Sequence, residues 1–172
     1  MSHATTVNDG MQVASAIDAE MHALSARTTP HMRAMRRKYS RTLQHASADF
    51  VLRLAKTLCA IDDARWFAYE LTQSHKAAFA HLDATVLEDL GHGINSWWTV
   101  DAFARILSGP AWLNGQVSDE VLLQWAHAPD RWWRRVALVS TVALNLRAHG
   151  AKETCDGRCR SAACWCMIMR RW

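Results

Sequence analysis

The sequence predicts an all-α chain built as a helical-repeat solenoid. Three observations lead there. Apolar residues recur at helical spacing in one segment after another, most of them opened by a Ser, Thr, Asp or Pro start signal. No stretch alternates in polarity as a strand does. Trp66, Trp97 and Trp132 each fall in the first turn of a predicted helix, 31 and 35 residues apart. That period is close to the length of a stacked helix pair, and Arg65-Trp66-Phe67 resembles Arg131-Trp132-Trp133.

The elements follow in order. Met11 to Ala26 carries Val13, Ile17, Met21 and Leu24 close to helical spacing. Thr28-Thr29-Pro30 opens the next helix with a capping hydroxyl and a first-turn proline. That helix sets Met32, Met35, Tyr39 and Leu43 on one face. Arg33, Arg36, Arg37 and Arg41, with Lys38 beside them, form a basic stripe. Ser47 caps a helix that turns Phe50, Val51, Leu54 and Leu58 inward. Asp62 and Asp63 start the helix through Trp66, Phe67, Tyr69 and Leu71. Asp83 to Leu90 is short and stops at Gly91-His92-Gly93. Ser96 caps a helix whose buried positions are Val100, Phe103 and Leu107, ending at Gly109-Pro110 because proline lacks a donor there. Ser118 starts a helix through Val121, Leu122 and Trp125. Pro129 and Asp130 start the last one, whose Val136–Leu144 stretch is nearly all apolar.

Composition narrows the function classes. Of 172 residues half are hydrophobic, with 7 Gly and 3 Pro, so the chain can bury a core and is not disordered. No apolar run reaches the roughly 18–20 residues that a membrane span needs. Residues 1–10 read as a flexible polar N-terminus without the layout of a signal peptide, so a cytoplasmic protein is expected. Residues 1–150 hold 15 Lys+Arg and 14 Asp+Glu, whereas the last 22 hold 5 and 2. The body is therefore not globally basic, and nucleic-acid binding would rest on local clusters. Cys59 stands alone in the body, while Cys155, Cys159, Cys164 and Cys166 crowd the tail.

Two stretches carry candidate chemistry. Trp97 and Asp101 are four apart on one helix, so they share a face, opposite Val100, Phe103 and Leu107. Arg135 shares a face with Arg131, Leu138, Val139 and Val142, an otherwise core-directed stripe, so it must line a cavity or meet a partner. A carboxylate beside an aromatic face stabilises a developing cation by charge and by ring quadrupole. Cleaving an N-glycosidic bond passes through such an oxocarbenium-like sugar. A nearby arginine can hold a phosphate. The plainer reading of the same residues is a helix-start aromatic and a surface ion pair between Asp101 and an arginine. For the Arg33–Arg41 stripe it is a solvated face.

Ser96-Trp97-Trp98-Thr99-Val100-Asp101, then Gly109-Pro110-Ala111-Trp112, Trp125-Ala126 and Asp130 to Ser140 together resemble the DNA alkylation repair family, the AlkD-like DNA glycosylases. Arg36 to Ser40 and Trp66 to Glu70 resemble it too. The resemblance covers roughly residues 20–150. It implies HEAT-like repeats in a right-handed, ARM-type superhelix with a basic DNA-binding face. It also implies hydrolytic removal of cationic N3- and N7-alkylated purines from duplex DNA, by a monomer, without a metal or cofactor. Trp97, Asp101 and Arg135 match the family's site tryptophan, catalytic aspartate and site arginine. Trp98, Arg134, Arg33, Arg36 and Arg37 are the expected DNA contacts. The family is thought to act on the lesion through backbone and sugar rather than by enclosing it. The alternative, from a different class, is a catalytically silent helical-repeat protein that binds DNA or a protein partner.

The resemblance stops near Gly150, where the family continues with further repeats and another site tryptophan. The domain expected over residues 11–150 is followed by an aberrant Cys- and Arg-rich tail, 151–172. Codons compatible with Ala163 to Met169, read from their third base, encode an apolar residue, then Leu-Val, His or Tyr, and Asp. That resembles the family's Leu-Leu-Val-x-Asp stretch. The tail is accordingly expected to be frameshifted on a truncated chain, or to contain a sequencing error. A nucleotide sequence that stays in frame with relatives would sink the idea. Zinc is the rival reading of the four cysteines, but C-x3-C-x4-C-x-C lacks the C-x2-C knuckle of zinc ribbons.

Overall fold

A computed structural model describes residues 3–26 and 28–145. The described residues are helical throughout apart from their connecting turns, with no strand among them. They divide after His81 into two compact units. Helix packs on helix within each unit, as in a helical-repeat chain. The expectations for the cysteine-rich tail lie outside the described residues.

The first unit holds α1 (His3–Ala23), α2 (Thr29–Thr42), α3 (Ala48–Cys59), a 3-10 turn (Asp62–Ala64), α4 (Arg65–Ser74) and α5 (Lys76–Ala80). Helix α1 begins well before Met11. Gly10 does not break it: the position is buried, and a Cβ added there would come to van der Waals distance of Phe50 on α3, so tertiary packing overrides propensity. The core is Ile17, Met21, Met35, Val51, Leu54, Leu58, Phe67 and Leu71. Tyr39 meets Phe67 edge-on, with ring centroids 5.9 Å apart. Glu20 ties α1 to α2 by accepting from Lys38 Nζ at 2.8 Å and Tyr39 Oη at 2.9 Å. Helix α5 has no apolar period to announce it. It forms because His75 Nδ1 accepts the Ala78 N–H at 3.1 Å and caps its first turn.

The second unit holds α6 (Ala84–Gly91), α7 (Trp97–Phe103), a π segment (Ala104–Ser108), α8 (Gly109–Leu113), α9 (Asp119–Ala126), α10 (Arg131–Ser140) and a 3-10 turn (Thr141–Asn145). Leu87, Leu90, Val100, Phe103, Leu107, Leu122, Val136 and Ala137 form its core. Gly93 leaves α6 at φ +74°, the left-handed region that glycine enters without strain.

Two local expectations are corrected. The helix opened at Ser96 does not end at Gly109-Pro110. The chain widens into the π segment, where Gly109 N–H reaches back five residues to the Ala104 carbonyl, and Pro110 then starts α8. The wider turn absorbs the missing proline donor and relieves the ring clash that would break an α-helix. The capping side chains also differ. Ser47, Asp83 and Asp130 accept backbone N–H groups of Phe50, Val86 and Trp132. Thr28 and Ser96 hold cap positions without doing so. Thr28 Oγ1 pairs with His31 Nδ1, and Ser96 Oγ pairs with Thr99 Oγ1 at 2.8 Å. In each case a nearby side chain competes for the hydroxyl.

Candidate active site

The first turn of α7 leaves Trp97 and Trp98 solvent-facing, 64% and 44% exposed. Both rings start a helix whose other face is fully buried through Val100 and Phe103. Such rings gain nothing from solvent, so the pair forms an exposed apolar feature at the start of α7. Asp101, one turn after Trp97, stands on the same side of α7. Helix α10 presents Arg135 to it. Arg135 Nε donates to Asp101 Oδ1 at 2.9 Å and its Nη2 donates to Oδ2 at 3.0 Å. This is the two-pronged fit of a planar guanidinium on a carboxylate. The side chains keep 31% (Asp101) and 40% (Arg135) of their surface in solvent. The carboxylate raises the guanidinium's pKa above its ordinary value through this hydrogen bond, so Arg135 is a permanent cation. The partner that the sequence demanded for Arg135 is therefore Asp101.

The other expected site residues take different places. Arg134 Nη1 donates to the carbonyls of Ala128 at 2.9 Å and Pro129 at 2.8 Å, pinning the turn before α10. Neighbouring Arg131 lies over the Trp132 ring, 4.5 Å from its centroid. Arg33, Arg36 and Arg37 belong to the first unit. Arg33 and Arg37 are exposed. Arg36 is half-buried, its Nε 3.2 Å from Glu70 Oε2 on α4.

Helices α7 and α10 also carry an aromatic cluster that the sequence did not single out as a group. The Trp133 ring meets Phe103 edge-on, at 6.0 Å and 83°. It also tilts against Trp125 at 5.1 Å, and Trp125 Nε1 donates to Glu88 Oε1 at 2.8 Å. Among the described residues no three His, Cys, Asp or Glu side chains come together as a metal site, and no helix is long and apolar enough to cross a membrane.

The family model described as DNA alkylation repair enzyme matches residues 8–156. The chain belongs to the DNA alkylation repair family. The match runs past the sequence motifs at both ends and takes in both units. Trp97, Trp98, Asp101 and Arg135 of this repair-family chain all lie inside it. No curated protein and no solved structure matches the chain.

Proposed function

We propose that this member of the DNA alkylation repair family is a monofunctional DNA glycosylase. It hydrolyses the N-glycosidic bond of cationic N3- and N7-alkylated purines in duplex DNA, as a cytoplasmic monomer without a metal or cofactor. The observation that carries this reading is a single carboxylate, Asp101, held at both oxygens by Arg135 one helical turn after the exposed Trp97.

The chemistry needs no second carboxylate. An alkylated purine already bears a positive charge, so its bond to C1′ breaks with both electrons leaving on the base and no prior protonation. The cationic sugar that forms is met by the Asp101 charge and the Trp97 face. Water attacks C1′, and its proton passes to Asp101 and then to solvent. Arg135 orients the carboxylate and offers its remaining N–H groups to a phosphate. The half-exposed pair suits a lesion approached from its backbone and sugar. Trp98, Arg134 and the exposed Arg33 and Arg37 supply further DNA contacts, with Arg36 held in its pair with Glu70.

One observation favours a second reading. Both Asp101 oxygens are already engaged, which is also what a structural ion pair on a catalytically silent DNA- or protein-binding repeat would have. Asp101→Asn separates the two. On methylated duplex DNA, release of 7-methylguanine and 3-methyladenine should fall by about 10²–10³-fold while DNA affinity holds. A wild-type chain that is folded, binds DNA and releases no base would establish the silent binder instead.

A further inference from the structure

The two-pronged contact between Arg135 and Asp101 is sensitive to the spacing of α7 and α10, because both prongs must meet their oxygens at once. A half-exposed ion pair is too weak to set that spacing itself. Packing must set it, and two contacts join the same stretches. Ser108 Oγ meets Ser140 Oγ at 2.7 Å in the core. On the other side Phe103, two residues after Asp101, meets Trp133, two residues before Arg135.

The position of Trp133 is itself fixed from below. A Cβ at Gly91 would lie 2.7 Å from Trp133 Cη2, 2.9 Å from its Cζ2 and 3.3 Å from Phe103 Cζ. The far lobe of the indole therefore rests on bare backbone at the end of α6, in space that no other residue type leaves open. Trp125, held by Glu88, closes the adjacent side. Helix α6 stops at this glycine, so its last residue serves as a seat as well as an end.

We propose that Trp133, seated on Gly91, is a positioning residue that sets the α7–α10 spacing at which Arg135 grips Asp101. Neither Trp133 nor Gly91 touches the reacting atoms. Only the activity readout below rests on the glycosylase reading.

The test is Gly91→Ala, Trp133→Phe and the double variant Gly91→Ala/Trp133→Phe, read by the exchange of the Arg135 Nε–H with water. That signal is assigned by its loss in Arg135→Lys, and Asp101→Asn gives the ungripped rate. In the wild type the Nε–H exchanges more slowly than in Asp101→Asn. Gly91→Ala pushes the indole off its seat and speeds exchange about ten-fold. Base release at saturating protein falls by about the same factor while DNA affinity stays within about two-fold, because displacements of an ångström or less act on rate. Phenylalanine lacks the lobe that the new methyl would strike, so the double variant returns to within about three-fold of wild type. A purely structural role would show the same loss and recovery in the unfolding midpoint while leaving the Arg135 Nε–H exchange of the folded variants unchanged.

The proposal is overturned by a folded Gly91→Ala with unchanged Nε–H exchange, by a double variant no better than Gly91→Ala, or by a wild-type rate equal to that of Asp101→Asn. Should Gly91→Ala not fold, Trp133→Phe decides alone: faster exchange supports the proposal and an unchanged rate overturns it. A wild type that releases no base removes the glycosylase reading and leaves the exchange measurement to judge the positioning role.

Discussion

Helices α4 and α10 open on similar triplets, Arg65-Trp66-Phe67 and Arg131-Trp132-Trp133, and fold them to different ends. In α4 the opening arginine is buried, 8% exposed. Four residues on stands Tyr69, also buried, whose hydroxyl accepts from Arg65 and donates to the Cys59 sulfur. Burial pushes the Cys59 thiol up to about 12 and the Tyr69 phenol upward as well, so this cluster holds its protons and serves the core. In α10 the opening arginine is exposed and stacks on its neighbour Trp132. Four residues on stands Arg135, half-exposed and joined to Asp101. One helix start is turned into the core and the other towards solvent. What separates them is the residue one turn in: Tyr69 meets Arg65 and Cys59 through one hydroxyl inside, whereas Arg135 meets the Asp101 carboxylate and keeps part of its surface in water.

That contrast makes graded predictions. Phe67→Ala empties the α4 core position and should cost about 3–5 kcal/mol in urea unfolding. Trp97→Ala removes a larger ring from α7 and should cost within about 0.5 kcal/mol. Equal losses would mean that the two regions do not differ as described. Tyr69→Phe removes the buried hydroxyl that meets both Arg65 and Cys59 and should cost about 1–3 kcal/mol. Arg135→Gln, at the matching position, should stay within about 1 kcal/mol, because its ion pair is half in solvent.

The smallest effect concerns Glu20. The Lys38 hydrogen bond holds its carboxyl below the usual range. The sign follows from linkage. The folded value is the lower one, so the stabilisation is present above the ordinary glutamate pKa and is lost as pH falls through the folded one. Because a third of the side chain is exposed, Glu20→Gln should cost well under about 1 kcal/mol near neutrality. Urea midpoints of the two chains should converge as the carboxylate protonates. A gap that persists at acid pH would place the effect in packing instead.

Much of this contrast is legible in the chain. The inward faces of α3, α4 and α7 are periodic, and the buried residues Val51, Leu54, Phe67, Val100 and Phe103 follow that period. Arg135 on an apolar stripe demands a partner, and Asp101 is the carboxylate it meets. The failures are physical too. Proline at 110 reads as a stop because a π segment leaves no mark on hydrophobic spacing. Helix α5 is too short, at five residues, to have a period. The seat of Trp133 joins Gly91, Phe103 and Trp125, whose contact is purely tertiary. Gly91 reads as the end of α6, which it is, while its second role depends on a ring more than forty residues later in the chain.

The central claim is that the carboxylate must stand on α7 beside Trp97, and its most direct test is a charge swap. Asp101→Arg combined with Arg135→Asp keeps an ion pair between the same helices and moves the carboxylate to α10. We predict that the swapped chain recovers the unfolding midpoint lost in either single variant and still releases no alkylated base from methylated duplex DNA, where the wild type does. Base release by the swapped chain at the wild-type rate, or none by a folded wild type, would contradict the account.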